Sequence, residues 1–299
     1  MAIDFHQLRL ERVYRATAPV RGLMADLDTI RGIDAELDRK LAAWSKGKRI
    51  SGYLALAGFI LAFIPVVGVA GFGLIPLALL SLLVCSLVAS RYQKLDLENR
   101  RYELVARILQ QLRKDIAPDE PVTVEVDFHP ASDPRHLKDQ GMVRDWKTQS
   151  FVQRWLSFQV RLLDGTLLRL GMEDRVQTRS RTRRNPRGKY KTKRKQKGVS
   201  LLHVQLRVKP ERHPQLAGLQ EQARKAVRLP KGASLARLDV AEDRLALRAR
   251  MPHDWTLRED VKSPFCDGLR TTMMSLLSLY QVLNYSTGLR KQLPAKVSP

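Results

Sequence analysis

The sequence predicts an α+β membrane protein: a two-helix transmembrane hairpin extended by an antiparallel helical stalk, plus a cytoplasmic antiparallel β-sheet domain with a long C-terminal helix. Three observations carry that reading. No charged residue falls between Arg49 and Arg91. Apolar residues recur with a period near 3.5 on both sides of that stretch, and beyond Pro118 the period changes to two. The expected organisation is N-terminal helices and a first stalk helix over 1–50, the hairpin over 51–90, a second stalk helix over 91–117, and the α+β domain over 118–299 with a basic arm at 175–199.

The first helix is expected near Phe5 to Ala16, ending before Pro19. Asp4, Arg9, Glu11, Arg12 and Arg15 interrupt any apolar run there, so no secretory signal is expected. Next comes a heptad seam of Leu23, Ile30, Leu37 and Trp44, with Leu27 and Leu41 between them and Asp34 as its one break. The mirror seam, Leu95, Tyr102, Leu109 and Ile116 with Val105 and Leu112, breaks at Glu98. Two such helices joined at a hairpin are expected to pair with each other; packing on the soluble domain or on another subunit is the alternative.

A single span needs about 20 apolar residues, and Ser51 to Ser90 is about twice that. Pro65 suits the end of one helix and Pro76 the first turn of another, with Gly68, Gly71 and Gly73 in the turn between them. Lys46, Lys48 and Arg49 before the stretch, and Arg91 and Lys94 after it, favour both ends on the cytoplasmic side. The expectation is therefore a multi-pass protein with cytoplasmic termini, a bacterial inner membrane being the anticipated site. Helices that stop at those prolines are short, about 22 Å at ~1.5 Å per residue, which leaves a shallow wedge in one leaflet as the alternative to full crossing. A buried hairpin in a soluble core is disfavoured by 40 residues without charge.

In the domain that follows, Val122, Val124, Val126 and Phe128 alternate with polar residues as in a half-buried strand. Leu156 to Leu162 and Leu168 to Met172 form a hairpin about Asp164-Gly165; a turn longer than two residues, setting Leu162 against Leu168, keeps apolar residues opposed. Leu202, Val204 and Leu206 supply another strand, and a two-residue loop at Glu242-Asp243 pairs Val240 with Leu245 and Leu238 with Leu247. A helix is expected over Pro214 to Val227. The last helix is expected to start at Ser263-Pro264 and bury Phe265, Leu269, Met273, Leu276, Tyr280 and Leu283.

Charge is the chief functional signal. The chain has 53 Lys and Arg against 30 Asp and Glu, a formal net charge of +23, which implies a polyanionic neighbour. Residues 175–199 hold twelve of those cations and no acid: Arg175, Arg179, Arg181, Arg183, Arg184, Arg187, Lys189, Lys191, Lys193, Arg194, Lys195 and Lys197. Basic residues alternate with Thr and Ser on both sides of the turn Asn185-Pro186-Arg187-Gly188, as expected of a two-stranded ribbon with one cationic face. Such a ribbon suits anionic phospholipid headgroups or the phosphates of a nucleic acid, and without a ligand it is open to disorder by like-charge repulsion. With Tyr190 as the arm's one aromatic residue, base stacking is not expected, and any nucleic-acid binding would be sequence-independent and salt-sensitive.

Catalytic signals are weak. Neither GxxxxGK[ST] nor GxGxxG after a strand occurs, and GxSxG and HExxH are absent. His129, Asp133 and His136 are the nearest approach to a metal set and read more simply as a solvated turn. Cys85 and Cys266 form no framework, and Cys266 reads as a packing residue. A non-enzymatic, membrane-anchored binding or scaffold module is therefore expected, with the bilayer and an anionic lipid or nucleic acid as partners, no metal or cofactor, and no identifiable protein partner. The alternatives are a homo-oligomeric, pore-forming assembly packed through Gly68, Ala70, Gly71 and Gly73, and a membrane-tethered nucleic-acid binder.

Overall fold

The computed structural model describes residues 8, 11–64, 68–95, 97–184, 186, 188–213, 215–257 and 266–292. The chain divides into two compact units, one of residues 1–26 and 100–299 and the other of residues 27–99.

The larger unit is built on one antiparallel sheet. Its strands are β1 (Val13–Ala18), β2 (Val122–Asp127), β3 (Leu137–Val143), β4 (Trp146–Arg161), β5 (Leu167–Arg184), β6 (Tyr190–Arg207), β7 (Ser234–Val240) and β8 (Arg244–Pro252). They lie in the order β1-β2-β4-β5-β6-β8-β7, with β3 on the free length of β4. The segment expected to be helical near Phe5 to Ala16 thus contributes a strand: Val13–Ala18 pairs with β2 from Val13↔Asp127 to Ala18↔Val122. Six ladder positions outweigh the helical spacing of so short a segment.

The β4–β5 turn is longer than two residues, as its apolar pattern requires, but the register differs from the expected one. Val160 faces Leu168 and Phe158 faces Leu170, while Leu162 N–H donates to Thr166 O at 2.8 Å. The shift is two residues, which leaves every side chain on its expected face. Val240 does pair with Leu245 and Leu238 with Leu247. Leu168, Leu202, Leu206 and Leu245 are fully buried on the inner face of this sheet.

Two helices cover that inner face. The first follows residue 98 and spans Asn99–Leu112; the second spans Gly268–Gln292. The Asn99–Leu112 helix buries Tyr102, Val105, Leu109 and Leu112, and Tyr102 lies against Phe128 with ring centroids 6.4 Å apart. The second heptad seam therefore packs on the sheet rather than forming one stalk helix over 91–117. Its anchor is Arg101, 1% exposed. Arg101 Nη1 donates to the carbonyls of Asp127 (2.5 Å) and His129 (2.9 Å), Nη2 donates to Gln153 Oε1, and Asp174 lies 3.5 Å away. Ser200 completes the group by donating to Asp174.

The C-terminal helix begins at Gly268, where Asp267 caps it by accepting from Arg270 N; the expected cap at Ser263-Pro264 and Phe265 lie outside the described residues. Its buried face is also rotated from the expected stripe. Thr271, Thr272, Ser275, Ser278, Leu279, Val282 and Ser286 are buried beside Leu276 and Leu283, whereas Met273 and Tyr280 are partly exposed. The small hydroxyl residues are compatible with burial because Thr272 and Ser275 donate to the carbonyls four residues back at 2.8 and 2.7 Å. Between sheet and helix, Leu216–Leu219 is a 3₁₀ turn that continues into a short helix, Gln220–Ala226.

The smaller unit contains most of α1 (Val20–Leu61) and all of α2 (Gly68–Leu95). For reference, the helices over Asn99–Leu112, Gln220–Ala226 and Gly268–Gln292 are α3, α4 and α5. α1 and α2 pack antiparallel. Ser51 Oγ lies 2.8 Å from Ser81 Oγ, a methyl at Gly47 would stand 3.3 Å from Cys85 Sγ, and one at Gly71 would stand 2.5 Å from Ala62 N. Contacts slide one residue forward on α1 for each residue back on α2. They reach Asp34, which accepts from Leu97 N at 3.4 Å; the Asn99 amide, turned to suit its neighbours, donates to Asp34 at 2.6 Å and to Leu97 O. The polar break in the heptad seam thus caps the interruption between α2 and α3.

The turn expected over Gly68, Gly71 and Gly73 is not there, because all three belong to α2 and Pro76 sits inside that helix instead of starting it. Pro65 lies outside the described residues. Gly71 has a packing role, since its missing side chain lets the backbones of α1 and α2 touch. Among the described residues, α2 is the one helix long and apolar enough to cross a membrane, over Gly71–Gln93. Beyond Arg49, α1 has twelve residues, Ile50 to Leu61, about 18 Å against a hydrocarbon core of about 30 Å. Two spanning helices were expected; one has the length.

A cationic sheet face as the candidate functional site

The basic arm is the far end of the β5–β6 hairpin. Its ladder runs without a bulge from Leu167↔Arg207 to Arg184↔Tyr190. Arg179, Arg181 and Arg183 stand directly opposite Lys195, Lys193 and Lys191. Opposed residues share a face, so these six cations form a double row, with Lys197 opposite Gln177 as the next rung. Arg175, opposite Val199, continues the same face, whereas Arg184 and Arg194 project from the other one with Thr178, Ser180, Thr182, Thr192 and Gln196. Lys189 lies in the exposed turn beside Gly188, whose φ of 80° suits glycine. Arg187 lies outside the described residues.

Like charges placed directly opposite destabilise a sheet, so the fold itself gains nothing from this double row. Neighbouring strands support its base. β4 pairs with β5 as far as Lys147↔Ser180, and β3 pairs with β4 down to Val143↔Trp146. Trp146 lies among the cations, with the Arg181 guanidinium 4.9 Å and the Lys195 ammonium 5.4 Å from its ring centre. Asp145 accepts from Arg183 at 2.8 Å, and that guanidinium holds its carboxyl below the usual range.

The same face continues beyond the arm. Arg154, Arg169 and Arg175 project from β4 and β5, Arg207 from β6, and Arg244, Arg248 and Arg250 from β8, all on the side away from the helices. The excess of charge assigned to residues 175–199 is therefore one end of a larger basic surface. These residues are far apart in sequence, and their strands bring them together. The sequence signal was present as Arg at the outward positions of alternating strands, a pattern that any solvated sheet also shows.

Glu173 is the buried acid of this face. It accepts from Arg175 Nε at 2.7 Å and from Arg154 Nε at 3.3 Å. Burial alone would raise its pKa, but the two guanidiniums reverse that and hold it below the usual range. Beside it, His203 accepts from Arg248 at 3.2 Å through Nδ1; burial, and then the charge of Arg248, keep this imidazole below the usual histidine range. Gly171 leaves a shallow concavity here, lined by Arg154, Arg169, Glu173, His203 and Arg248.

The other candidates resolve differently. His129 Nδ1 lies 2.6 Å from Asp127 Oδ1, and His136 Nε2 lies 3.5 Å from the other oxygen of Asp127. The two histidines thus meet over Asp127, while Asp133 turns away to accept from Arg135 N. No group of three potential ligands able to hold a metal ion occurs among the described residues. Cys266 is buried, and burial pushes its thiol pKa up, which fits a packing role. Comparison of the chain with protein-family models, with characterised proteins and with solved structures finds no match.

Proposed function

We propose that this protein is a non-enzymatic, membrane-anchored module whose basic β-ribbon engages an anionic surface. The observation that carries the proposal is the register of β5 and β6, which sets three arginines opposite three lysines on one face. That arrangement is electrostatically unfavourable until an anion neutralises it. α2 supports the membrane part: Phe72, Leu77, Leu80 and Leu83 are all more than half exposed, as suits a helix in contact with lipid. In this reading α2 crosses the bilayer, the apolar end of α1 lies against it as the shorter arm of a hairpin, and the sheet domain is cytoplasmic.

The test is salt elution of the full chain, in uncharged detergent, from a polyanionic resin. Replacing Arg179, Arg181, Arg183, Lys191, Lys193 and Lys195 by Ser is expected to abolish retention near physiological salt. Replacing six exposed cations off this face (Arg21, Arg113, Lys114, Arg224, Lys225 and Lys231) should leave most of it. Equal losses in the two variants would reduce the ribbon to bulk charge and refute the reading.

A further inference from the structure

We infer that the outer face of the sheet is a docking track for the phosphate backbone of a nucleic-acid duplex, running from the ribbon across β5, β6 and β8. The inference rests on the proposed anion-binding role of the ribbon and names its partner. Residues two apart in a strand repeat every ~6.8 Å, so a double row carries on average about one charge per 3.4 Å, the mean charge density along the axis of one strand of a duplex. The basic positions follow the strands in lines: Arg175 to Arg183 on β5, Lys191 to Lys197 on β6, and Arg244 to Arg250 on β8. Strands twist relative to one another, and a linear polyanion can follow such a line where a planar bilayer meets only part of it.

The composition of the ribbon separates the two partners further. Elements that bind bilayer interfaces set an apolar face against a cationic one. Here the reverse face is Thr178, Ser180, Thr182, Arg184, Thr192, Arg194 and Gln196, with Tyr190 opposite Arg184 at its tip and Thr182 and Thr192 joined at 2.9 Å. Tyr190 aside, it offers nothing to insert among acyl chains. The exposed apolar side chains close by are Tyr190 at the ribbon end and Met142 and Val143 at the β3–β4 turn. A duplex fits better than a single strand, because stacking needs successive aromatic platforms, and Trp146 already carries Arg181 and Lys195 on its ring. Contacts of this kind read charge and not bases.

The test uses the full chain in uncharged detergent, with a fluorescently labelled 25-base-pair DNA duplex of two unrelated sequences, the matching single strand, and vesicles of phosphatidylglycerol in phosphatidylcholine. The two duplexes are expected to bind equally. For six phosphate contacts, log K against log salt should slope at about −5, and Lys191→Ser/Lys193→Ser/Lys195→Ser should lessen that slope by about 3. Arg169→Ser/Arg248→Ser, which lies off the ribbon, should weaken duplex binding further, whereas Met142→Ser/Val143→Ser should leave it unchanged. Ribbon-dependent binding to vesicles with none to duplex would overturn the inference and leave the anionic-surface reading standing. Binding to neither would overturn both. A single strand preferred over duplex would refute the backbone-tracking geometry.

Discussion

Glu173 shows how the cationic face is kept in order. Two guanidiniums, from Arg154 and Arg175, converge on a carboxylate that is 4% exposed. Its pKa lies below the ordinary glutamate value of 4.5, so its stabilising contribution is complete above that pH and is lost as the pH falls through the lower, folded-state value. Glu173→Gln is expected to cost about 1 kcal/mol at pH 7, discounted because both arginines face solvent. It should also flatten the fall in unfolding free energy between pH 5 and pH 3, measured by chemical denaturation. An unchanged pH dependence would show that Glu173 is not held by these charges. At this scale the arm was legible, because alternation of basic and hydroxyl residues is a local signal. Trp146, Arg154, Arg169 and Arg248 were not, because each looks like an ordinary outward-facing residue until the strand beside it is known.

The helices of the smaller unit are defined by what separates them least. Gly47, Ser51 and Gly58 on α1, and Ala62 just past its end, meet Cys85, Ser81, Leu74 and Gly71 on α2, and the glycines, serines and alanine among them bring the backbones close. In a background with Cys85 and Cys266 changed to Ser, the pair Ser51→Cys/Ser81→Cys is expected to form an intramolecular disulfide on mild oxidation, seen as faster migration on a non-reducing gel. Adding Gly71→Leu should lower the yield several-fold, since even a methyl there meets the α1 backbone at 2.8 Å and Ala62 N, just past it, at 2.5 Å. Cross-linked dimers in place of the fast monomer would mean that α1 and α2 pair between chains. The heptad seams predicted two helices with buried stripes. They did not reveal that the second is two helices, nor that Asp34 interrupts the first seam because its carboxylate caps the gap between them.

At the scale of the whole molecule, the proposed membrane association rests on α2. Among the described residues α2 is the one helix both long and apolar enough to cross a membrane, and Leu80 and Leu83 on it are 61% and 55% exposed. Each Arg near a bilayer centre costs about 2.5 to 3.5 kcal/mol on insertion. Leu80→Arg/Leu83→Arg is therefore expected to move much of the protein from the membrane pellet to the soluble fraction, followed by quantitative immunoblotting after carbonate extraction. A variant still wholly in the pellet would place the anchor elsewhere. By itself the sequence determined the α+β class, the uncharged stretch, the strands with clear alternation, the Glu242-Asp243 hairpin register and the cationic ribbon, because each follows from spacing within a few neighbouring residues. Only the tertiary structure decided that Val13–Ala18 is a strand, which side of the C-terminal helix is buried, and that arginines from two further strands, β4 and β8, extend the ribbon into a larger basic face. Those outcomes depend on pairing between segments as much as 114 residues apart, as in Val13↔Asp127, where a partner's geometry outweighs local preference.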